Sequence, residues 1–296
     1  MTRHHRALAS LALLVCVVHG ASAAEIVIGD GKTQPESLAM AAGTLYVGSA
    51  STPFVYRVRA GAATAERFVD ATAEGPGTFF LGMLADTATN TLWACQLAPI
   101  PNTTPALRRS TLRSFDLTTG AARLRWTLPG DSNVCNDFVV GPDKALYISD
   151  TSNGRIYKLP AGASAATLFL EDTQTLNGID GITFLKGALY VNNVRTNKIY
   201  RVPVDASGKA AAPVEITLDQ PLRGPDGMRA ANGVLLVAEN GSGKISAITV
   251  SGDTGRVTVL KEGLKTPTAV EPAGDTIWIA ERGAGQAVSM PLPKTF

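Results

Sequence analysis

The sequence predicts an all-β fold, a six-bladed β-propeller of four-stranded antiparallel blades, on three observations. A short apolar strand core recurs six times: Thr44-Leu45-Tyr46-Val47, Thr91-Leu92-Trp93-Ala94, Ala145-Leu146-Tyr147-Ile148, Ala188-Leu189-Tyr190-Val191, Val234-Leu235-Leu236-Val237 and Thr276-Ile277-Trp278-Ile279. Their central Leu/Ile positions lie 47, 54, 43, 46 and 42 residues apart, the period of propeller blades. A turn precedes each copy, most plainly Asn232-Gly233, since Asn-Gly between two apolar runs suits a hairpin whose central residues both need φ > 0. No amphipathic run is long enough to argue for a helix.

Taken in order, the chain opens with a secretory signal. Arg3 and Arg6 form a positive n-region, Ala7 to Val18 an apolar core too short to span a bilayer, and Ala21-Ser22-Ala23 a small-residue cleavage pattern. Residues 1–24 are therefore expected to be a signal peptide, and residues 25–296 one exported propeller domain, periplasmic or secreted. Cys16 follows Val15 where a lipoprotein would carry a small residue, which disfavours lipid attachment. Ile26-Val27-Ile28 is expected to complete the last blade beside the C-terminal strand. Third strands are read at Phe54–Arg57, Leu112–Asp116, Arg155–Lys158, Lys198–Arg201 and Lys244–Ala247, with outer strands such as Ala166–Leu170 and Val257–Leu260. The second blade carries an insertion, Gln96 to Arg109, whose Pro99, Pro101 and Pro105 predict an irregular loop, either a lid or an ornament.

Residue inventory narrows the chemistry. All three histidines (His4, His5, His19) fall in the signal segment, which excludes Ser-His-Asp, Cys-His and other histidine-based mechanisms in the exported domain. Of 27 Lys+Arg, removal of Arg3 and Arg6 leaves 25 against 25 Asp+Glu, so no basic excess points to nucleic acid. Cys95 and Cys135 remain, read either as a disulfide between neighbouring blades or as two buried thiols.

The innermost strands of a propeller line its channel, so the residue entering each one faces the mouth. Nine positions before the Leu/Ile markers stand Glu36, Asp137, Asp180, Asp226 and Thr268; in the second blade, whose turn is two residues longer, Leu81 takes the place. An isolated Asp-Gly is commonly a plain turn. Several acids at one repeat position are different, because carboxylates that face one another repel unless a cation neutralises them. Without histidine, such a site is built from oxygen ligands, with Asn136 and Asn177 nearby; this favours Ca²⁺, Mg²⁺ or Mn²⁺.

These segments resemble the SMP-30/gluconolactonase (regucalcin-like) family of six-bladed propellers. The pieces that carry the resemblance are Pro35-Glu36-Ser37, Cys135-Asn136-Asp137, Asn177-Gly178-Ile179-Asp180 and Pro225-Asp226-Gly227-Met228. The resemblance implies one divalent cation, Ca²⁺ first with Mn²⁺, Mg²⁺ or Zn²⁺ as alternatives, held by Glu36, Asp226 and one fourth-blade ligand. Asn177 matches the family wording there, whereas Asp180 holds the repeat register. Asn136 and Asp137 are implied as contacts to substrate or metal-bound water. Val134 stands where sugar-lactone members usually carry Arg, and Ser149-Asp150-Thr151 where they carry a Gly-Thr-Met-like segment, which argues against an aldonolactone.

The implied activity is metal-dependent hydrolysis of a lactone or ester C–O bond. The cation acts as Lewis acid and lowers the pKa of a bound water. Asp226 or Asp137 serves as general base, and Arg223 is a candidate contact for an anionic substrate group. The expected partner is a small molecule, with no nucleic acid and no membrane span; oligomeric state is left open. The alternative is a non-catalytic, NHL-like propeller binding a ligand or protein at one face. A strictosidine-synthase-like reading lacks a convincing equivalent of that family's pocket glutamate.

Overall fold

Each repeat forms one antiparallel sheet, innermost strand first. The structure is a computed structural model that describes residues 24–296 apart from 104–106, 131 and 206. The expected signal peptide, but for Ala24, and Pro105 of the insertion lie outside the described residues. Blade 1 comprises Pro35–Ala41, Thr44–Ser49, Phe54–Val58 and Glu66–Asp70; blade 2, Phe79–Asp86, Thr91–Pro99, Arg108–Asp116 and Ala122–Thr127. Blade 3 comprises Cys135–Val140, Leu146–Asp150, Arg155–Leu159 and Thr167–Glu171; blade 4, Ile179–Leu185, Ala188–Asn193, Lys198–Val202 and Val214–Glu215. Blade 5 comprises Pro225–Ala231, Val234–Glu239, Lys244–Ser251 and Thr254–Lys261, with Thr217–Leu218 added in parallel at its outer edge. Blade 6 comprises Pro267–Ala273, Thr276–Glu281 and Gln286–Pro291. The strand Glu25–Val27 completes it antiparallel to Gln286–Pro291, with Ile26 opposite Ala287, and so closes the ring with the first and last described strands in one blade.

Local chemistry explains the strands. Asn232 and Gly233 take φ of 46° and 82°, and Lys186 and Gly187 take 51° and 82°, the paired left-handed residues of a tight hairpin whose twist matches its strands. Second strands such as Leu146–Asp150 and Val234–Glu239 are buried along their whole length, which is why they read as continuous apolar runs rather than alternating ones. The core is a series of layers between neighbouring blades. Leu38, Val47 and Tyr56 of blade 1 pack on Ala269, Ala280 and Ala287 of blade 6, and Leu189, Val191 and Tyr200 of blade 4 on Ile156 and Tyr147 of blade 3.

The insertion in blade 2 corrects the irregular-loop expectation. Pairing runs unbroken from Thr91 opposite Asp116 to Pro99 opposite Arg108, so most of the extra length prolongs a hairpin. Proline cannot donate to a ladder. Pro99 stands at the last paired position and Pro101 beyond it, so they end the arms without interrupting them. At its base Cys95 is joined by a disulfide to Cys135, the first residue of blade 3's inner strand, with Cα atoms 5.4 Å apart and both side chains fully buried.

Candidate functional site

Every innermost strand is irregular at its entry. Pairing with the second strand shifts register between Pro35 and Ser37, Phe80 and Met83, Cys135 and Phe138, Ile179 and Ile182, Pro225 and Met228, and Pro267 and Ala269. A bulge adds a residue, bends the strand and re-aims side chains. In each blade it falls on the residue nine or eleven positions before the Leu/Ile marker. Close packing accompanies it: a Cβ on Gly181 would lie 2.6 Å from Met228 N, and one on Gly227 2.6 Å from Thr268 O. Only glycine lets adjacent inner strands approach that closely. The loops that lead into the bulges are tied down by acids at the ends of the second strands. Asp150 Oδ1 accepts from Val134 N (2.9 Å), Glu239 Oε2 from Arg223 N (2.9 Å) and Glu281 Oε1 from Lys265 N (2.5 Å).

Glu36, Asp137, Asp180 and Asp226, from blades 1, 3, 4 and 5, consequently line one small cavity with Ser37, Asn136, Arg229 and Thr268. Its free space is about 10 Å³, room for the centre of one water-sized body. Asn136 Nδ2 donates to Asp180 Oδ2 at 2.7 Å, Asn240 Nδ2 to Asp226 Oδ2 at 2.6 Å, and Arg282 Nη1 to Glu36 Oε2 at 2.9 Å. Asp137 is occupied differently: Arg229 grips both its oxygens, at 2.7 and 3.1 Å, and donates through Nε to Glu271 Oε2 at 3.3 Å.

The electrostatics follow from burial. Loss of water, then the charges of Glu36 and Asp137, push the Asp180 carboxyl up to about 8. Burial raises Asp226 well above the carboxylate range, with Asp180 and Glu36 adding to it and Asn240 and Arg282 opposing. Glu36 is also raised by burial, against the pull of Arg282. Glu271 is lifted by burial to about 7 in spite of Arg229. For Arg229, burial alone would lower the affinity for its proton, but Asp137 and Glu271 outweigh it and hold the guanidinium charged.

Two of the sequence candidates stand elsewhere. The Asn177 amide oxygen accepts from Arg195, so its side chain is directed to that exposed arginine, while Asp180 occupies the cavity. Arg223 is exposed; its backbone, not its side chain, contacts Glu239. Repeat register located the fourth-blade acid because the bulge recurs in register, whereas wording alone does not place a side chain. Sequence reasoning missed Arg229, Glu271, Asn240 and Arg282. A charged residue inside the inner strand Pro225–Ala231 was the available signal for Arg229. Nothing in the pattern singles out Arg282, which follows the second strand of blade 6.

The donor set suits a divalent cation by its chemistry. Glu36, Asp180 and Asp226 are buried oxygen donors, all raised by burial, with Glu36 adding to both aspartates and Asp180 to Asp226, and proximity to a hard cation would relieve that cost. Among the described residues no three acid, cysteine or histidine side chains are already drawn into a closed cage. Glu36 is instead engaged by Arg282, so it would have to share or exchange that partner to become a ligand.

A closed six-bladed ring with an acidic, oxygen-lined pocket at the entry of its inner strands defines the class of protein. The model of the SMP-30/Gluconolactonase/LRE-like region matches residues 106–280, and the chain belongs to that family. No curated protein matches it in sequence. Among solved structures it is similar to the calcium-binding protein regucalcin from Agrobacterium tumefaciens, with a TM-score of 0.62, 18% identity and 90% of each chain covered. It is similar also to virginiamycin B lyase from Staphylococcus aureus, with a TM-score of 0.63, 16% identity, 92% of this chain and 99% of that one. A PQQ-bound aldose sugar dehydrogenase from Streptomyces coelicolor aligns with a TM-score of 0.61, 14% identity, 92% of this chain and 99% of that one. At these identities the likeness establishes a shared fold.

Proposed function

We propose that this chain is an exported, divalent-metal-dependent hydrolase that opens a lactone or cleaves an ester. The observation that carries the reading is the convergence of Glu36, Asp180 and Asp226 in one buried cavity, where Arg282 pairs with Glu36 and Arg229 is taken up by Asp137 and Glu271. Glu36, Asp180 and Asp226 would hold the cation, with Ca²⁺ the first candidate because every donor is oxygen. When bound, the cation supplies Lewis-acid polarisation of the carbonyl and a more acidic water.

The protein's own groups do the rest. Both oxygens of Asp137 are taken by Arg229, so the proton of the attacking water falls to Asp226, and Asp137 acts by fixing the strand that carries Asn136. Asn136 and Asn240 orient the Asp180 and Asp226 carboxylates. Water attacks the acyl carbon and gives one proton to Asp226; as the C–O bond breaks, Asp226 passes that proton to the leaving alkoxide, giving an alcohol and a carboxylic acid. Export follows from the signal pattern in residues 1–24, and the Cys95–Cys135 disulfide suits an oxidising compartment.

The test is metal analysis of the purified protein, followed by lactone hydrolysis with and without Ca²⁺ or Mn²⁺. Glu36→Gln and Asp226→Asn are expected to lose both bound metal and turnover. Unchanged metal content and hydrolysis in both variants would defeat the reading and leave a ligand-binding propeller in its place.

A further inference from the structure

Two arginines bind carboxylates of the cavity, Arg229 from within its lining and Arg282 through Glu36, and they are used in opposite ways. Arg229 is buried and saturated: Nε donates to Glu271, Nη1 to Asp137 and Met228 O, and Nη2 to Asp137 and Met83 O. All five of its N–H groups have acceptors, so it has nothing to offer a ligand. The Arg282 side chain is 32% exposed, and among the described residues its single hydrogen bond is the one from Nη1 to Glu36. An arginine serving only to neutralise Glu36 would gain by engaging more of its fork.

The loops beside Arg282 carry charge of the same sign. Gly283 N donates to Lys265 O at 2.9 Å, which places Lys265 next to Arg282 on the strand-entry face. Arg223 and Arg195 stand on the corresponding loops of blades 5 and 4, both exposed, as is Lys265. Elsewhere on that face Arg113, Arg125, Arg155, Lys198 and Lys244 each pair with a glutamate. Among the described residues Arg195, Arg223 and Lys265 pair with no carboxylate. The three unpaired cations thus form an arc over blades 4 to 6, beside Arg282, which is paired with Glu36 of the cavity wall.

We infer that Arg282 selects a substrate that carries a carboxylate beside its scissile ester, held by the free donors of the guanidinium, while Arg195, Arg223 and Lys265 draw the anion to the mouth. A planar fork with open N–H groups matches a carboxylate two-for-two, and unpaired like charges around a cleft raise the local concentration of counter-charged ligand. The inference rests on the hydrolase reading and names its substrate class. It also moves to Arg282 the anion-binding role that Arg223 carries on sequence grounds.

The test compares γ-butyrolactone with its 5-carboxylate on the Ca²⁺-loaded full domain, for wild type, Arg282→Gln and Arg282→Lys. Wild type is expected to prefer the carboxylate lactone. The ratio of the two kcat/KM values is expected to fall about tenfold or more in Arg282→Gln, mostly through KM, the worth of one charge-assisted hydrogen bond. Arg282→Lys should keep most of the preference. A ratio that does not change in Arg282→Gln overturns the inference, even if both rates fall together. If wild type opens neither lactone, the hydrolase reading fails separately and 2-hydroxyglutarate binding, followed by calorimetry, decides. Binding about tenfold weaker in Arg282→Gln sustains the anion site; equal binding in both proteins, or none in wild type, overturns it.

Discussion

Replacing both Cys95 and Cys135 with alanine tests how the ring and the site are coupled. The bridge joins residues 40 apart in sequence, and both side chains are fully buried. In the chain-entropy model, closing a loop of that length restricts the unfolded chain by about 4 kcal/mol at 25 °C. For a domain of this size that corresponds to a fall in Tm of roughly 10 °C. The assay is urea unfolding of the oxidised wild type and the double variant, with m compared as well as midpoint. A freed unfolded chain exposes more surface, so m is expected to rise as the midpoint falls. The site should change less than the stability. Val134 N remains bonded to Asp150 Oδ1 at 2.9 Å, and Cys135 N, which alanine retains, to Ser110 Oγ at 2.7 Å, so two hydrogen bonds still hold the loop before Asn136 and Asp137. Bound Ca²⁺ at 25 °C is therefore expected to match wild type. A double variant within about 1 kcal/mol of wild type, with unchanged m, would refute the loop-closure reasoning.

Further outcomes follow from the cavity. Asp180 has its carboxyl raised from 3.8 to about 8, so its protonated form suits the fold; the stability this contributes is full below the ordinary aspartate range and disappears as pH climbs through 8. Metal-free protein should lose Tm between pH 4 and 8, and Ca²⁺ should raise Tm more at pH 8.5 than at pH 5; an equal Ca²⁺ increment at both would contradict it. Arg229→Met strands Asp137 and Glu271 in the interior and is expected to cost about 3–5 kcal/mol in urea unfolding, much of it recovered by adding Asp137→Asn and Glu271→Gln. Asp180→Asn should reduce Ca²⁺ occupancy measured by elemental analysis, and Asn177→Ala should leave it near wild type; the reverse order would return Asn177 to the cation.

Sequence alone determined the periodic part of the molecule. Six copies of one strand core, six turns and the apolar segment Ile26–Ile28 fix the number of blades and the closure of the ring, because period and turn chemistry are local properties that the chain carries wherever it folds. The same periodicity carried Glu36, Asp137, Asp180 and Asp226 to one place, since a bulge at the same repeat position re-aims each of them. Tertiary structure decided how those acids are partnered. Arg229 silences Asp137 from two blades away, Arg282 leans on Glu36 across the ring closure, and Asn177 faces out to Arg195 instead of in. Those pairings depend on which strands become neighbours after closure and on the loss of water around them, and neither quantity exists until the ring has formed.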